Sequence, residues 1–353
     1  MNEQADLLCE QRGAVVFVTL NRPRALNSLT LEMCRQFDGM LAGWAADPDV
    51  AAVVVKGAGE RAFCAGGDVR AIWEGVRDGT DLPAAFFAAE YRMNRRVFHV
   101  PKAYIALIDG ITMGGGVGIS AHGSHRVATE RTLFAMPETA IGLFPDVGAS
   151  YFLPRLPGRL GLYLGLTGAR LKAADCLNAE VATHTVGSAD LPALEDALVE
   201  AEWSGDPTEV AGAVLERFTG DLGEPPLAAQ RHTIDHCFAG DSVEEIFANL
   251  AVEKGDWAAQ TLAGLERCSP TSLKITYRAI QEGARLDFDS VMAMEYRLSQ
   301  ACMAGHDFSE GVRAVIIDKD NAPRWQPATL EEVSEEAVAA HFGPQGLAEL
   351  AFG

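Results

Sequence analysis

The sequence has no paired cysteines, no basic leader and no long apolar run. Its seven cysteines stand at 9, 34, 64, 176, 237, 268 and 302, with no Cys-x-x-Cys pair. Such an odd, dispersed set excludes a disulfide framework and reads as reduced thiols filling a core. No segment approaches the roughly 18 apolar residues that a membrane span requires. Met1 to Glu10 carries acidic groups and no basic n-region, unlike a secretory signal or an Arg-rich transit peptide, so a cytoplasmic location is expected. Basic residues are scarce: 29 Lys and Arg face 49 Asp and Glu, a formal net charge of −20. This excludes a broad nucleic-acid surface and opposes anionic lipid, so neither nucleic acid nor membrane is expected as a partner. Sites for several chemistries are also missing. His232 and His236 have metal-ligand spacing, but Thr233 stands where a His-Glu-x-x-His site needs its glutamate, and no metal is expected. Gly118-x-Ser120-x is followed by His122, so there is no nucleophile elbow, and no Walker loop occurs. Cys64 has no histidine nearby to activate it.

What is present is a chain of 353 residues, 48% of them hydrophobic, enough for one large or two modest domains. Strand-like runs (13–20, 51–56, 103–108, 125–128 and 133–135) alternate with helical patterns at 30–44 and 82–100, which points to an α/β domain with parallel pairing. From about Leu191 strand signals nearly vanish. Helices are expected over 194–203, 207–218, 242–251, 257–267, 269–283, 289–304 and 309–315. A boundary falls in the region Gly220–Pro226, giving an α/β part over 1–222 and a helical part over 223–353.

Two glycine clusters carry the chemistry. Phe63-Cys64-Ala65-Gly66-Gly67-Asp68 follows the run 51–56, and Gly110-Ile111-Thr112-Met113-Gly114-Gly115-Gly116-Val117-Gly118 follows the run 103–108. Glycine lets the backbone approach a ligand without a Cβ in the way, and a strand–turn–helix junction leaves free N–H groups. Two such turns side by side can aim two N–H groups at one oxyanion; Gly67 and Gly115 are the candidate donors. The run Gly57-x-Gly59-x-x-Ala62 fits a dinucleotide fingerprint, yet Gly66 and Gly67 interrupt the helix it would have to open. Glu138 and Asp146 follow in one apolar stretch. Carboxylates in such surroundings hold raised pKa values and serve as base or acid; the alternative is a pair of turn or capping acids. Glu90 lies in the apolar face of the helix at 82–100, where the residues alone favour an internal ion pair with Arg92, Arg95 or Arg96. Arg22, Arg24, Lys56 and Arg61 flank the two turns and are candidate phosphate contacts, with solvated surface charge as the alternative.

These residues carry a family resemblance. Asn21-Arg22-Pro23, Ala62 through Asp68, Gly114-Gly115-Gly116, Pro137-Glu138 and Gly142 through Gly148 resemble the crotonase (enoyl-CoA hydratase/isomerase) superfamily, over nearly the whole chain. The resemblance implies an α/β fold, a spiral of ββα units followed by a helical C-terminal part. It also implies an acyl-coenzyme A ester as the partner, with coenzyme A a part of the substrate and no separate cofactor. Hydratases of that family carry a first glutamate where this chain has Gly118, and their second matches Glu138; Asp146 stands where they usually carry glycine. One acid is lost and another gained. This pattern, with Arg267 through Lys274 and Glu310 through Asp320, is similar to a thioester-hydrolase branch acting on short 3-hydroxyacyl esters, 3-hydroxyisobutyryl-CoA of valine catabolism foremost. The resemblance makes Glu138 and Asp146 catalytic, Gly67 and Gly115 the oxyanion donors, and Glu90 and Gly115 substrate contacts beside them. It places coenzyme A at Arg22, Arg24, Ala25 and Ala65. It leaves open a hydratase or isomerase, a non-catalytic acyl-CoA binder, and a homo-oligomer.

Overall fold

The computed structural model describes residues 5–221, 223–346 and 349–352. Part of the N-terminal stretch and Leu222, at the expected boundary, lie outside them. The chain forms two compact units that interleave in sequence: residues 1–67, 92–134 and 170–228, and residues 68–91, 135–169 and 229–353.

The first unit is built on a six-stranded sheet. Strands β1 (Leu7–Arg12), β2 (Val15–Leu20), β3 (Ala52–Gly57), β5 (Ala103–Ile108), β7 (His125–Ala128) and β9 (His184–Thr185) lie in that spatial order, β1 antiparallel to β2 and the rest parallel. A second sheet joins β4 (Ala62–Cys64), β6 (Ile111–Met113) and β8 (Leu133–Ala135). All six residues of β5 and the first four of β3 are buried, which is why these strands read as unbroken apolar runs. Val15, Phe17, Val54, Ile105 and Leu107 pack with Leu194, Leu198, Val214 and Leu215 of the helices Leu191–Glu200 and Pro207–Glu216. The helix Leu31–Ala46 starts at Thr30, whose hydroxyl accepts from the Met33 N–H at 3.2 Å.

The second unit is helical. The helix Pro270–Gly283 begins at Ser269, whose hydroxyl accepts from the Ser272 N–H at 3.0 Å. It packs so closely on the helices Ala149–Phe152 and Leu160–Thr167 that a side chain at Gly283 would collide with the Ser150 carbonyl. The helices Val243–Val252, Asp256–Leu265, Phe288–Ala304 and His306–Val312 complete most of it, each within a few residues of its sequence expectation.

Candidate functional site

In the first unit the glycine turns follow paired strands. β4 runs parallel to β6 with Cys64 opposite Thr112, so the chain leaves both strands side by side. Gly66 takes φ +112° and Gly114 φ +48° with ψ −124°, conformations that exclude ordinary side chains. A Cβ built on Gly66 would stand 3.5 Å from the Met113 carbonyl oxygen and 3.7 Å from the Gly115 nitrogen. One on Gly116 would collide with the Cys64 carbonyl. Neither the Gly67 nor the Gly115 N–H has an acceptor among the described residues. Gly115 opens a four-residue helix, Gly115–Gly118, and Ser120 closes it by donating its hydroxyl to the Gly116 carbonyl at 2.7 Å. The dinucleotide alternative ends here: a Cβ at Gly57 would meet the Ala62 carbonyl at 2.5 Å, and the chain passes into β4 rather than a helix.

Asn27 anchors the first turn, a role sequence reasoning missed. It is fully buried at φ +57°, accepts from the Arg22 N–H at 3.0 Å, and donates to the carbonyls of Ala58 at 3.0 Å and Ala62 at 2.8 Å. The neighbouring Ala65 N–H donates to the Leu26 carbonyl at 3.0 Å, and Ala25 accepts from the Ser28 N–H at 3.1 Å. Of the expected phosphate contacts, Arg22 holds the Ser28 carbonyl at 2.7 Å and lies 3.8 Å from Asp6, and Lys56 bonds both oxygens of Glu195 at 2.7 Å. Arg24 and Arg61 stand exposed.

The second unit gathers the acids. Glu138 opens the 3-10 helix Glu138–Ile141, Asp146 lies on the loop after it, and Glu90 lies on the helix Leu82–His99; they are 5%, 4% and 2% exposed. Glu90 Oε1 and Glu138 Oε2 have no hydrogen-bond partner among the described residues. Among the described residues the ion pair considered for Glu90 is not formed; Arg96 pairs with Asp38. Burial, then the Asp146 charge, holds the Glu138 and Glu90 carboxyls well above the usual carboxylate range, with Glu138 adding to the effect on Glu90. Asp146 is pushed up to about 6 by burial, against a hydrogen bond that Tyr91 donates to its Oδ2 at 2.6 Å. Ionisation of any one of these carboxyls therefore opposes ionisation of the others.

Glu295, from the helix Phe288–Ala304, was also not foreseen. It is fully buried and accepts from the N–H of Gly148 at 2.6 Å and of Ser150 at 2.8 Å, and burial lifts it to about 8. The turn bearing Glu138 is fixed from its other side. Gly142, at φ +72°, has no room for a side chain against the main chain of Asp307, nor has Gly311 against Ile141. Thr139 donates to the Leu166 carbonyl at 3.1 Å and accepts Ser269 through its own carbonyl at 3.1 Å. Buried carboxyls without partners can hold and move protons or attack an electrophile, and unpaired N–H groups on glycine turns can hold an oxyanion.

Comparison with known proteins adds to this geometry. The sequence profile described as enoyl-CoA hydratase/isomerase matches residues 15–342. The 3-hydroxyisobutyryl-CoA hydrolase of Rattus norvegicus is 48% identical over 99% of this chain and 92% of its own. That of Danio rerio is 52% identical over 96% and 89%, and that of Homo sapiens 49% over 98% and 91%. Among solved structures, a carnitinyl-CoA dehydratase from Mycobacterium thermoresistibile superposes with a TM-score of 0.92 at 39% identity, covering 99% of each chain. An enoyl-CoA hydratase from Rhodobacter sphaeroides gives 0.90 at 39%, over 99% and 100%. The fold expectation holds. The cytoplasmic expectation does not: the three hydrolases are mitochondrial proteins. Three acidic residues among the first ten do not report a compartment.

Proposed function

The chain belongs to the enoyl-CoA hydratase/isomerase family, and from that premise we propose that it hydrolyses the thioester of a short 3-hydroxyacyl-CoA, 3-hydroxyisobutyryl-CoA foremost, releasing 3-hydroxyisobutyrate and coenzyme A in valine catabolism. One observation carries the reading. Glu138 and Asp146 are buried together as a pair, while Gly118, where hydratases of the family hold an acid, brings no carboxyl group.

In the proposed reaction the thioester oxygen takes hydrogen bonds from the N–H groups of Gly67 and Gly115, each contributing about 3 kcal/mol in the transition state. Glu138 attacks the carbonyl carbon as a carboxylate. The C–S bond breaks, the coenzyme A thiolate leaves with the proton that Asp146 took from Glu138, and water opens the mixed anhydride; in the other route Glu138 activates that water directly. Asp146 assists proton transfer, and Glu90 holds the substrate hydroxyl. Arg24 and Arg61, exposed beside the glycine turn, are the cations left to meet coenzyme A phosphates.

A thiol-release assay over a panel of acyl-CoA esters, with Glu138→Gln beside wild type, tests the reading. Release from 3-hydroxyisobutyryl-CoA that the variant abolishes is expected. The relatives solved as a hydratase and a dehydratase supply the second reading, and faster hydration of crotonyl-CoA than cleavage of any thioester would establish it instead. In isotopically labelled water, label accumulating in the Glu138 carboxyl marks the anhydride route.

A further inference from the structure

The Tyr91 hydroxyl has no part in the reaction as written, yet among the described residues it is the one side chain that donates a hydrogen bond to the Asp146 carboxyl, beside the backbone N–H of Asp146 itself. Resting on the hydrolase reading, we propose that Tyr91 is a positioning residue: it commits Asp146 Oδ2 to its phenol, so that Oδ1 alone takes up the Glu138 proton when Glu138 becomes the nucleophile or base.

Both ends of this contact are fixed. Tyr91 is fully buried, and its ring is held edge-on by Phe87, with centroids 5.8 Å apart, and by Tyr296, at 6.5 Å. The main chain under Asp146 is held as firmly. Val147 takes φ +55°, a left-handed conformation unfavourable for a β-branched residue, and Gly148 follows at φ +88°. The Glu295 carboxyl offsets that strain by receiving the N–H groups of Gly148 and Ser150, and the Ala149 N–H donates to the Asp146 carbonyl at 2.9 Å. With its backbone pinned, Asp146 exchanges its two oxygens only by rotating the carboxyl and breaking the Tyr91 bond.

The groups facing Asp146 are Glu138 from the 3-10 helix, Glu90 and Tyr91 from the helix Leu82–His99, and Glu295 and Cys302 from the helix Phe288–Ala304. Burial opposes a charge on it; the Tyr91 hydroxyl, and after it the Asp146 backbone N–H, favour one. Together with that N–H, Tyr91 biases the resting negative charge of the cluster toward Asp146 and the proton toward Glu138. When substrate binds, one proton passes from Glu138 to Asp146 Oδ1, directly or through water, and the charge moves the other way, so the step balances. A phenylalanine at 91 would keep the ring packing and lose that bias.

Two measurements test this. In protein labelled with 13C at aspartate carboxyls, the Asp146 resonance, identified by its loss in Asp146→Asn, is titrated without substrate. Tyr91→Phe is expected to move its midpoint upward by about one pH unit, since the anion loses its donor. In thiol release, Tyr91→Phe is expected to lower kcat about tenfold with KM changed no more than about twofold, and to move the corresponding limb of the pH profile upward. In the Asp146→Asn background the same change should alter kcat by no more than about twofold. An unmoved midpoint, or equal losses in both backgrounds, overturns the proposal. A midpoint that moves in a protein whose wild type cleaves no thioester sinks the hydrolase reading and leaves the Tyr91–Asp146 assignment standing.

Discussion

Around Gly66, Gly114 and Gly116 the chain has removed side chains so that one main chain can lie against another. Around Glu138 it has kept four acidic side chains and removed the water that would solvate them. The first region is short of space and the second short of charge compensation. Each therefore has its own characteristic failure: a methyl group too many in the glycine turns, an ionised group too many among the acids.

Substitutions can break that contrast. The largest effect is expected from Glu138→Gln, which should lower thiol release by about 1,000-fold or more while leaving the thermal unfolding midpoint unchanged or higher, because a buried carboxyl whose Oε2 has no partner among the described residues is replaced by a neutral amide. A fall in both would show that the cluster is structural. Gly116→Ala should act in the opposite sense on stability. Its methyl meets the Cys64 carbonyl, costing about 3 kcal/mol by urea unfolding, with activity falling alongside. Glu295→Gln keeps one acceptor and turns an amide donor toward the other N–H. A loss of about 1–2 kcal/mol is expected, with kcat reduced more than KM is raised.

The smallest effect is a slope. Asp146 and Glu295 hold folded-state values of about 6 and about 8, above the ordinary carboxylate values they regain on unfolding. A raised carboxyl means the folded state binds more protons, so its contribution is fully present below about pH 4 and is lost as pH rises through 6 to 8. Unfolding midpoints measured over that window should fall more steeply with pH for wild type than for Glu295→Gln. Equal slopes would remove Glu295 from the group that titrates.

Legibility in the sequence followed the range of the interaction. Strand β5 and the helix Leu82–His99 were readable because burial on both faces leaves an unbroken apolar run and burial on one helical face leaves a periodic one. Strand β1 was not: an edge strand with half of its residues exposed and one buried, Leu7–Arg12 carries no apolar pattern. The glycine turns and the apolar setting of Glu138 and Asp146 are local facts and were found. Tyr91 and Glu295 act on residues far along the chain, and nothing beside them announces it. Lys56 shows the converse error. Its place beside a glycine turn suggested a phosphate, but Glu195, distant in sequence, occupies it.

The closely fitted seam of Gly142 on Asp307 and of Gly311 on Ile141 gives the far end of the chain a stake in chemistry that begins at residue 138. A chain ending before His306 would keep every proposed reacting group and forfeit the wall that the Glu138 turn leans on. Insertions, tags or proteolytic cuts between 304 and 313 should thus register in turnover well before they register in the sheet.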